Sequence, residues 1–395
     1  MMAWIPVLVL LLACLHVGAR LWLWLGVRRS IKSENTRKAQ FRNLPVEEQE
    51  KLLPVLSVVI AARNEAKNLR THLPSILRQD YPEFEVIIAL DRCEDESEDI
   101  LKSFAKSHLN LHWITVAKTP LDWAPKKWAL TQAIALVNHP NLVCTDADCG
   151  AEEGWLEAVG IAFANGASVV PGLGMYYAYP GFLNRFIRYE TSYTALQYLG
   201  AAGNYVPYMG VGRNLSYKKE VFDAVGGFVD FRKSLSGDDD LLVNAWRNDG
   251  NTISVIGKGS RSWSEPKRTF GSWLRQKGRH FSASAKYTAL SKIALAIFHG
   301  SQIAFYGFLA LFLVSGGHIG VGLGLYLCYL LGSWYIFGLF AKETNQTDLI
   351  TVFPLLDFAY ACYHFFTAPF GLLAQPSWQK NQNPKYPKTP SRTVD

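Results

Sequence analysis

Two carboxylates one residue apart, Asp146 and Asp148, end an apolar run that begins Leu142-Val-Cys-Thr. If that run is a strand, both acids leave the core at its C-terminal edge, where open α/β sheets bind ligands, and strand alternation points them the same way. Such a pair suits a hard divalent cation that keeps waters and borrows its other ligands from substrate phosphates. Two other readings fit the same residues: an acidic surface loop, and a phosphatase-type Asp-x-Asp whose first acid is a nucleophile. More groups of this kind follow along the chain. Glu65 and Asp91 come just after apolar runs, and Lys126 and Lys127 open a helical stretch whose macrodipole they oppose. An anionic ligand would explain those lysines, as would solvation. Asp238, Asp239 and Asp240 follow Gly237 before a helix closed by Gly250, where capping is an alternative use for acids. Gln276, Arg279 and His280 lie in a basic stretch, Phe270 to Phe281, that could also bind anionic head groups.

The elements that must position these groups are legible as changes of period. Val55 to Ala62 is apolar throughout, as a strand buried on both faces of a parallel sheet should be, and Arg63-Asn64-Glu65 follows at once. Leu69, Leu73, Ile76 and Leu77 then take helical spacing. Phe84 to Leu90 is a second strand ending in Asp91, with an acidic loop through Asp95, Ser97 and Asp99. Leu111 to Val116 is a third, and the Asp146 run a fourth. Strand and helix in alternation predict right-handed crossovers and a doubly wound α/β sheet with helices on both faces. Val169-Val170-Pro171-Gly172 and Tyr208 to Tyr217 read as strands and glycine turns. Tyr189, Tyr193, Tyr198 and Tyr205 between them suit either the face of a sugar ring or a core.

The 395 residues are 49% hydrophobic, and the apolar residues collect at the two ends. Ala3 to Val27 is long enough to span a bilayer, with Trp22 and Trp24 and then Arg28, Arg29 and Lys32 marking a cytoplasmic interface. A signal peptide cleaved near Val17-Gly18-Ala19 is the competing reading, against which no basic region precedes the apolar run. From Ile293 to Ala341 there is no Asp, Glu, Lys or Arg, and Gly316-Gly317 divides that run into two spans. Leu349 to Leu373 is a third apolar piece, spanning or interfacial. The six cysteines contain no Cys-x-x-Cys pair, so neither zinc nor a disulfide framework is expected. The net charge of +7 gathers beside the apolar ends, which points to a membrane surface and not to nucleic acid.

Ser57-Val-Val-Ile-Ala-Ala-Arg-Asn-Glu65, the strand ending in Asp91 with Asp95-x-Ser97-x-Asp99, Lys126-x-x-Ala129-Leu130 and the Asp-x-Asp element, in that order, resemble the family-2 inverting glycosyltransferases of GT-A fold. The resemblance runs from about Val55 to His280. It implies that Glu65 and Asp91 contact the nucleotide base and ribose region, that Lys126 belongs to the same pocket, and that Asp146 lies near the ribose and donor sugar. It places Asp148, with Asp146, at a metal on the diphosphate, and it matches Asp238-Asp239 to the family's acidic pair, with Asp239 as catalytic base. Gln276 and Arg279 match a Gln-x-x-Arg-Trp element on the acceptor and diphosphate side, with His280 where tryptophan is usual. The family's second strand usually has two adjacent acids nearer the serine, whereas here Arg92-Cys93-Glu94 intervene.

The expectation is a metal-dependent (Mg²⁺ or Mn²⁺) inverting transferase, with a nucleotide-diphosphate sugar, foremost a UDP-sugar, as donor and a lipid-linked or saccharide acceptor. A processive polysaccharide synthase and a non-catalytic nucleotide-binding membrane scaffold are the rivals. The expected organisation is an anchor over 1–27, a linker over 28–52, a GT-A domain over 53–265, an interfacial segment over 266–290, a membrane region of two or three spans over 291–375 and a polar tail over 376–395. In this reading the protein is a multi-pass inner-membrane enzyme with its catalytic domain in the cytoplasm.

Overall fold

A computed structural model describes residues 4–246 and 251–373. Gly250 and the tail beyond residue 373 lie outside the described residues. The chain opens with α1 (Trp4–Arg42) and α2 (Val46–Leu52), and then alternates β1 (Leu56–Ala62), α3 (Ala66–Leu77), β2 (Phe84–Asp91), α4 (Ser97–Ala105), β3 (Leu111–Val116), α5 (Pro125–Ile134) and β4 (Asn141–Cys144). After β5 (Cys149–Ala151), α6 (Trp155–Ala164), β6 (Val169–Pro171) and β7 (Gly174–Tyr176) comes α7 (Phe182–Gly203). Next are β8 (Leu215–Lys218), α8 (Lys219–Ala224), α9 (Asp240–Trp246), β9 (Ser262–Ser264) and α10 (Phe270–Ser284). Three helices end the described chain: α11 (Ala289–Val314), α12 (Ile319–Glu343) and α13 (Phe353–Leu373).

The expected mixed α/β sheet is present, with strand order β3-β2-β1-β4-β8-β6. Strands β1 to β4 are parallel, and β8 turns antiparallel against β4, pairing Val143 with Ser216. Alternation along the strands feeds two cores. Val58, Ile60, Val86 and Ile88 pack under α3, α4 and α6, while Val59, Ile87 and Ala89 pack under α5 and α9. A second sheet, β5-β9-β7, was not anticipated from the sequence. Its strands are three residues each, too short for a period to show.

A third core lies outside the sheet and joins α1, α7, α11, α12 and α13. Helices α1, α11 and α12 are long and apolar enough to cross a membrane. At 1.5 Å per residue the 39 residues of α1 extend about 58 Å, well beyond a ~30 Å hydrocarbon layer. The helix therefore continues unbroken from the apolar stretch to the α/β domain. There the Glu34 carboxylate accepts the backbone N–H groups of Ile256 and Gly257 at 2.7 and 2.9 Å. Sequence reasoning missed α7, whose 22 residues run beside α1. Contact between the two helices requires glycine: a Cβ on Gly200 would lie 2.4 Å from the Leu23 carbonyl oxygen, and one on Gly203 2.1 Å from that of Gly26. Tyr189, Tyr193 and Tyr198 are buried in this packing and so belong to the core, whereas Tyr205 is 79% exposed just past the helix end.

Asp357 of α13 is fully buried among four other helices. Arg20 of α1 pairs with it at 2.5 Å, and it also accepts from Tyr189 (3.1 Å), Gln302 (3.1 Å), Tyr306 (2.9 Å) and Tyr329 (2.8 Å). Removing one partner from such a pair leaves an uncompensated charge and destabilises by about 3–5 kcal/mol, whereas an apolar pair of similar volume is nearly neutral. Asp357→Leu should accordingly lower the thermal unfolding temperature in detergent, and adding Arg20→Met should restore most of the loss; equal melting of the single and double variants would contradict this role.

Candidate active site

Strand β4 ends at Cys144, so Asp146 and Asp148 are not strand residues as the alternation argument required. They occupy a turn closed by the Cys149 N–H on the Asp146 carbonyl (3.1 Å). The strand stops because the ladder does: β4 pairs with Leu56–Val59 and with Leu215–Lys218, and Thr145 uses its hydroxyl to hold the Arg213 carbonyl at 2.9 Å. The turn nonetheless brings potential ligand atoms of Asp146, Asp148 and Cys149 within 4.8 Å of one another. Burial first, and then the neighbouring Asp146 charge, raise the Asp148 carboxyl above its usual range, with Arg213 and Lys267 opposing. A half-buried pair of carboxylates this close together fits a divalent cation, and oxygen donors of this kind suit Mg²⁺ or Mn²⁺.

The two lysines that open α5 have different duties. Lys127 is buried and donates to the carbonyls of Ser234 (2.7 Å) and Ser236 (2.6 Å), fixing the loop ahead of the acidic run. Lys126 bridges two carboxylates, Asp146 at 2.8 Å and Asp238 at 2.6 Å. Desolvation alone would lower its pKa; the charges of Asp146, Asp238 and Asp239 outweigh that and hold it well above the ordinary value.

The three adjacent acids are held in three ways. Burial would raise Asp238, but Lys126 and Lys127 bring it below its usual value. Asp239 accepts the Gly212 N–H at 2.6 Å and the Asp240 N–H at 2.8 Å, and burial followed by the Asp238 charge raises it. Asp240 caps α9 through the Leu241 N–H (2.8 Å) and accepts the Tyr287 hydroxyl (2.6 Å). Burial, then the charge of Asp239, pushes it up to about 8. A Cβ on Gly212 would stand 3.4 Å from the Asp239 carboxylate, 3.5 Å from the Lys126 ammonium and 3.6 Å from the Asp238 carboxylate, so these groups converge on that glycine.

The other residues singled out from sequence divide. Glu65 receives the Asn68 amide at 2.6 Å and is raised by burial, with the charges of Asp148 and Asp146 adding to the shift. Asp91 sits at the same sheet edge, but its carboxylate is held by the guanidinium of Arg92 at 2.8 and 3.0 Å. Asp95 serves as a cap, taking the N–H groups of Ala66 (2.9 Å) and Ser97 (3.1 Å), and Asp99 pairs with Lys102 on the surface. Gln276 of α10 donates to the Tyr176 hydroxyl at 3.3 Å, and His280 is near enough to Asp238 for that charge to act on it. Arg279 makes no ion pair among the described residues. Sequence reasoning missed Arg213, whose guanidinium lies 4.3 Å over the Tyr176 ring, as well as Lys267 and the Cys149 thiol. For Arg213 the signal was present, an arginine within the glycine-rich Gly210 to Asn214 turn.

An α/β sheet whose acids and lysine gather at the strand ends, joined to helices apolar enough to span a bilayer, has the architecture of the GT-A fold. Comparison with known proteins specifies the family. Residues 57–234 match the model of glycosyl transferase family 2, so this stretch of the chain is a family-2 glycosyltransferase domain. A probable glycosyltransferase, YdaM of Bacillus subtilis, is 26% identical over 266 residues, 64% of this chain and 60% of that protein. The glycosyltransferase AglE of Haloferax volcanii is 25% identical over 250 residues, 62% of this chain and 77% of the relative. A solved structure of mannosyltransferase PcManGT from Pyrobaculum calidifontis, in complex with GDP-Man and Mn²⁺, shares the fold with a TM-score of 0.53 at 16% identity, covering 91% of this chain and 99% of that one.

A carboxyl with a folded-state pKa near 8 binds a proton that the unfolded chain has lost, so its contribution to stability falls as pH rises from about 4 through 8. Asp240→Asn removes that dependence. The melting temperature of the variant relative to wild type should therefore rise between pH 5 and pH 9; a difference constant with pH would show that Asp240 ionises freely.

Proposed function

We propose that the protein is a membrane-bound inverting glycosyltransferase that moves a sugar from a nucleotide-diphosphate sugar to an acceptor hydroxyl at the cytoplasmic membrane face. What carries this reading is the convergence of Lys126, Asp238 and Asp239 on Gly212, with Lys126 also bound to Asp146 of the Asp146/Asp148 turn. In this reading Glu65 and Asp91 face the nucleotide and Asp146 the ribose and donor sugar. Asp148 and Asp146 would hold a divalent cation, which when bound offsets charge on the diphosphate. Arg279, without an ion-pair partner among the described residues, supplies a second positive charge on that side, and Gln276 and His280 border the acceptor.

Asp239 acts as general base. Its carboxylate takes the proton of the acceptor hydroxyl as that oxygen bonds to the anomeric carbon, the bond to the diphosphate breaks on the opposite face, and the electron pair leaves with the nucleotide diphosphate. Burial suits Asp239 to the task, since a carboxylate raised above its usual range is a stronger base. The two backbone N–H groups at its oxygens fix its orientation. A UDP-sugar is the foremost donor in this reading, and the mannosyltransferase of similar fold binds GDP-Man with Mn²⁺.

Asp239→Asn should lower turnover by about 10²–10⁴-fold while donor affinity, followed by calorimetry, is retained; unimpaired turnover would remove the residue from this role. Asp148→Ala should abolish the dependence of donor binding on Mn²⁺ or Mg²⁺, and an unaltered metal titration would take the cation away from that carboxylate.

A further inference from the structure

The loop between α7 and β8 begins at the membrane helices and ends at the proposed base. At its start Asn204 donates to the Trp22 carbonyl of α1 (2.8 Å), and the Arg29 guanidinium lies 5.5 Å from the centre of the exposed Tyr205 ring. Trp22 and Arg29 belong to the part of α1 where the apolar stretch gives way to charge, the level at which aromatic and basic side chains meet lipid head groups. Val206, beside Tyr205, is 51% exposed. Seven residues beyond Tyr205 the Gly212 N–H reaches Asp239, and seven residues of extended chain span at most about 25 Å.

A second connection reaches the same acid from α11. The Tyr287 hydroxyl holds Asp240, the neighbour of Asp239, and Asn244 ties the Tyr208 carbonyl (2.9 Å) to the Ser291 hydroxyl (3.0 Å) in the first turn of α11. From there Leu290, Ile293 and Ile297 leave one apolar face of the helix open, and Ile293 is 56% exposed. Leu290 lies three residues, about 10 Å of extended chain, from Tyr287. Tyr208 and Met209 pack against both the helical core and a core of the sheet. The base is thus bracketed by two exposed apolar edges, one held against α1 and the other continuous with α11, both helices long enough to span a bilayer.

Resting on the glycosyltransferase reading above, we propose that the acceptor is a bilayer lipid carrying a free hydroxyl at head-group depth, which enters between the Tyr205–Val206 loop and the first turns of α11. A water-soluble saccharide would gain nothing from these edges. A lipid whose nucleophile is a phosphate would bring negative charge against Asp239 and Asp238, whereas a hydroxyl is neutral until its proton moves to the base.

The test uses the full chain in nanodiscs with a labelled nucleotide sugar and Mn²⁺. Three acceptors are compared: a monoglucosyl diacylglycerol in the bilayer, a polyprenyl phosphate in the bilayer, and soluble maltotriose. Label is expected on the glycolipid. Val206→Asp and Ile293→Asp should each raise the KM for it by about tenfold or more, because a charge at an apolar lipid contact is strongly disfavoured, and Val206→Leu should restore the wild-type value. Donor hydrolysis without acceptor checks that each variant is folded. Transfer to maltotriose with equal efficiency, label confined to the polyprenyl phosphate, or aspartate variants with unchanged KM would overturn the proposal while leaving the transferase reading intact. Loss of donor hydrolysis in the wild-type protein would instead remove that reading, and this one with it.

Discussion

One ammonium group makes the cleft possible. Asp146 and Asp238 come from distant parts of the chain, and two carboxylates about 4 Å apart repel by roughly 4 kcal/mol at an effective dielectric constant near 20. Lys126 stands between them and converts that repulsion into a bridge. Its neighbour Lys127 completes the arrangement by gripping the loop that leads into the acidic run, so a single helix start governs both sides of the cleft. Within that run the lysine pair lowers Asp238, while burial and the neighbouring carboxylates raise the next two acids. Asp238 is held ionised, Asp239 is raised and Asp240 lies close to neutrality, so one short sequence supplies carboxyl groups in different states.

The α/β domain and the helical bundle are joined by more than a tether. Helix α1 enters the domain without a break and ends its contacts on Glu34 and Arg42, while α7, an insertion between two strands of the sheets, lies along α1 at glycine-only distance. The bundle core includes Leu173, Met175 of β7 and Trp273 of α10, so apolar packing is continuous from the long apolar helices to the edge of the cleft. Gln276 of α10 in turn touches Tyr176, on which Arg213 stacks. A fixed relation between the cleft and the long apolar helices follows from this packing.

Much of this was legible in the residues. The apolar runs at Val55 and Phe84 became β1 and β2 because each is buried on both faces, whereas the run at Leu111 became β3, an edge strand with His112 and Thr115 exposed. The Asp146/Asp148 pair was found for a reason that did not hold: the acids face one another through a turn, since the strand ended when its partners did. Helix α7 escaped notice because its tyrosines, glycines and polar residues lie against other helices on nearly every side, which erases an amphipathic stripe. Arg213 lies in a glycine-rich turn that could have marked it, whereas Lys267 reaches the acids from a loop that nothing in local spacing marks. Asp95, part of the acidic loop in the resemblance, accepts backbone N–H groups at the starts of α3 and α4.

The pair formed by Arg20 and Asp357 also bears on how the protein is made. The two residues are 337 positions apart, and at roughly 5–20 residues per second the ribosome needs on the order of 20–70 s between them. If α1 enters the bilayer as it emerges, its arginine must wait that long for a counter-ion. Only eight residues short of Arg28, its long side chain can reach toward head-group phosphates in the meantime. Final assembly of the bundle is therefore tied to the arrival of α13, and a chain truncated before Asp357 leaves the Arg20 guanidinium without its counter-ion for quality control to find.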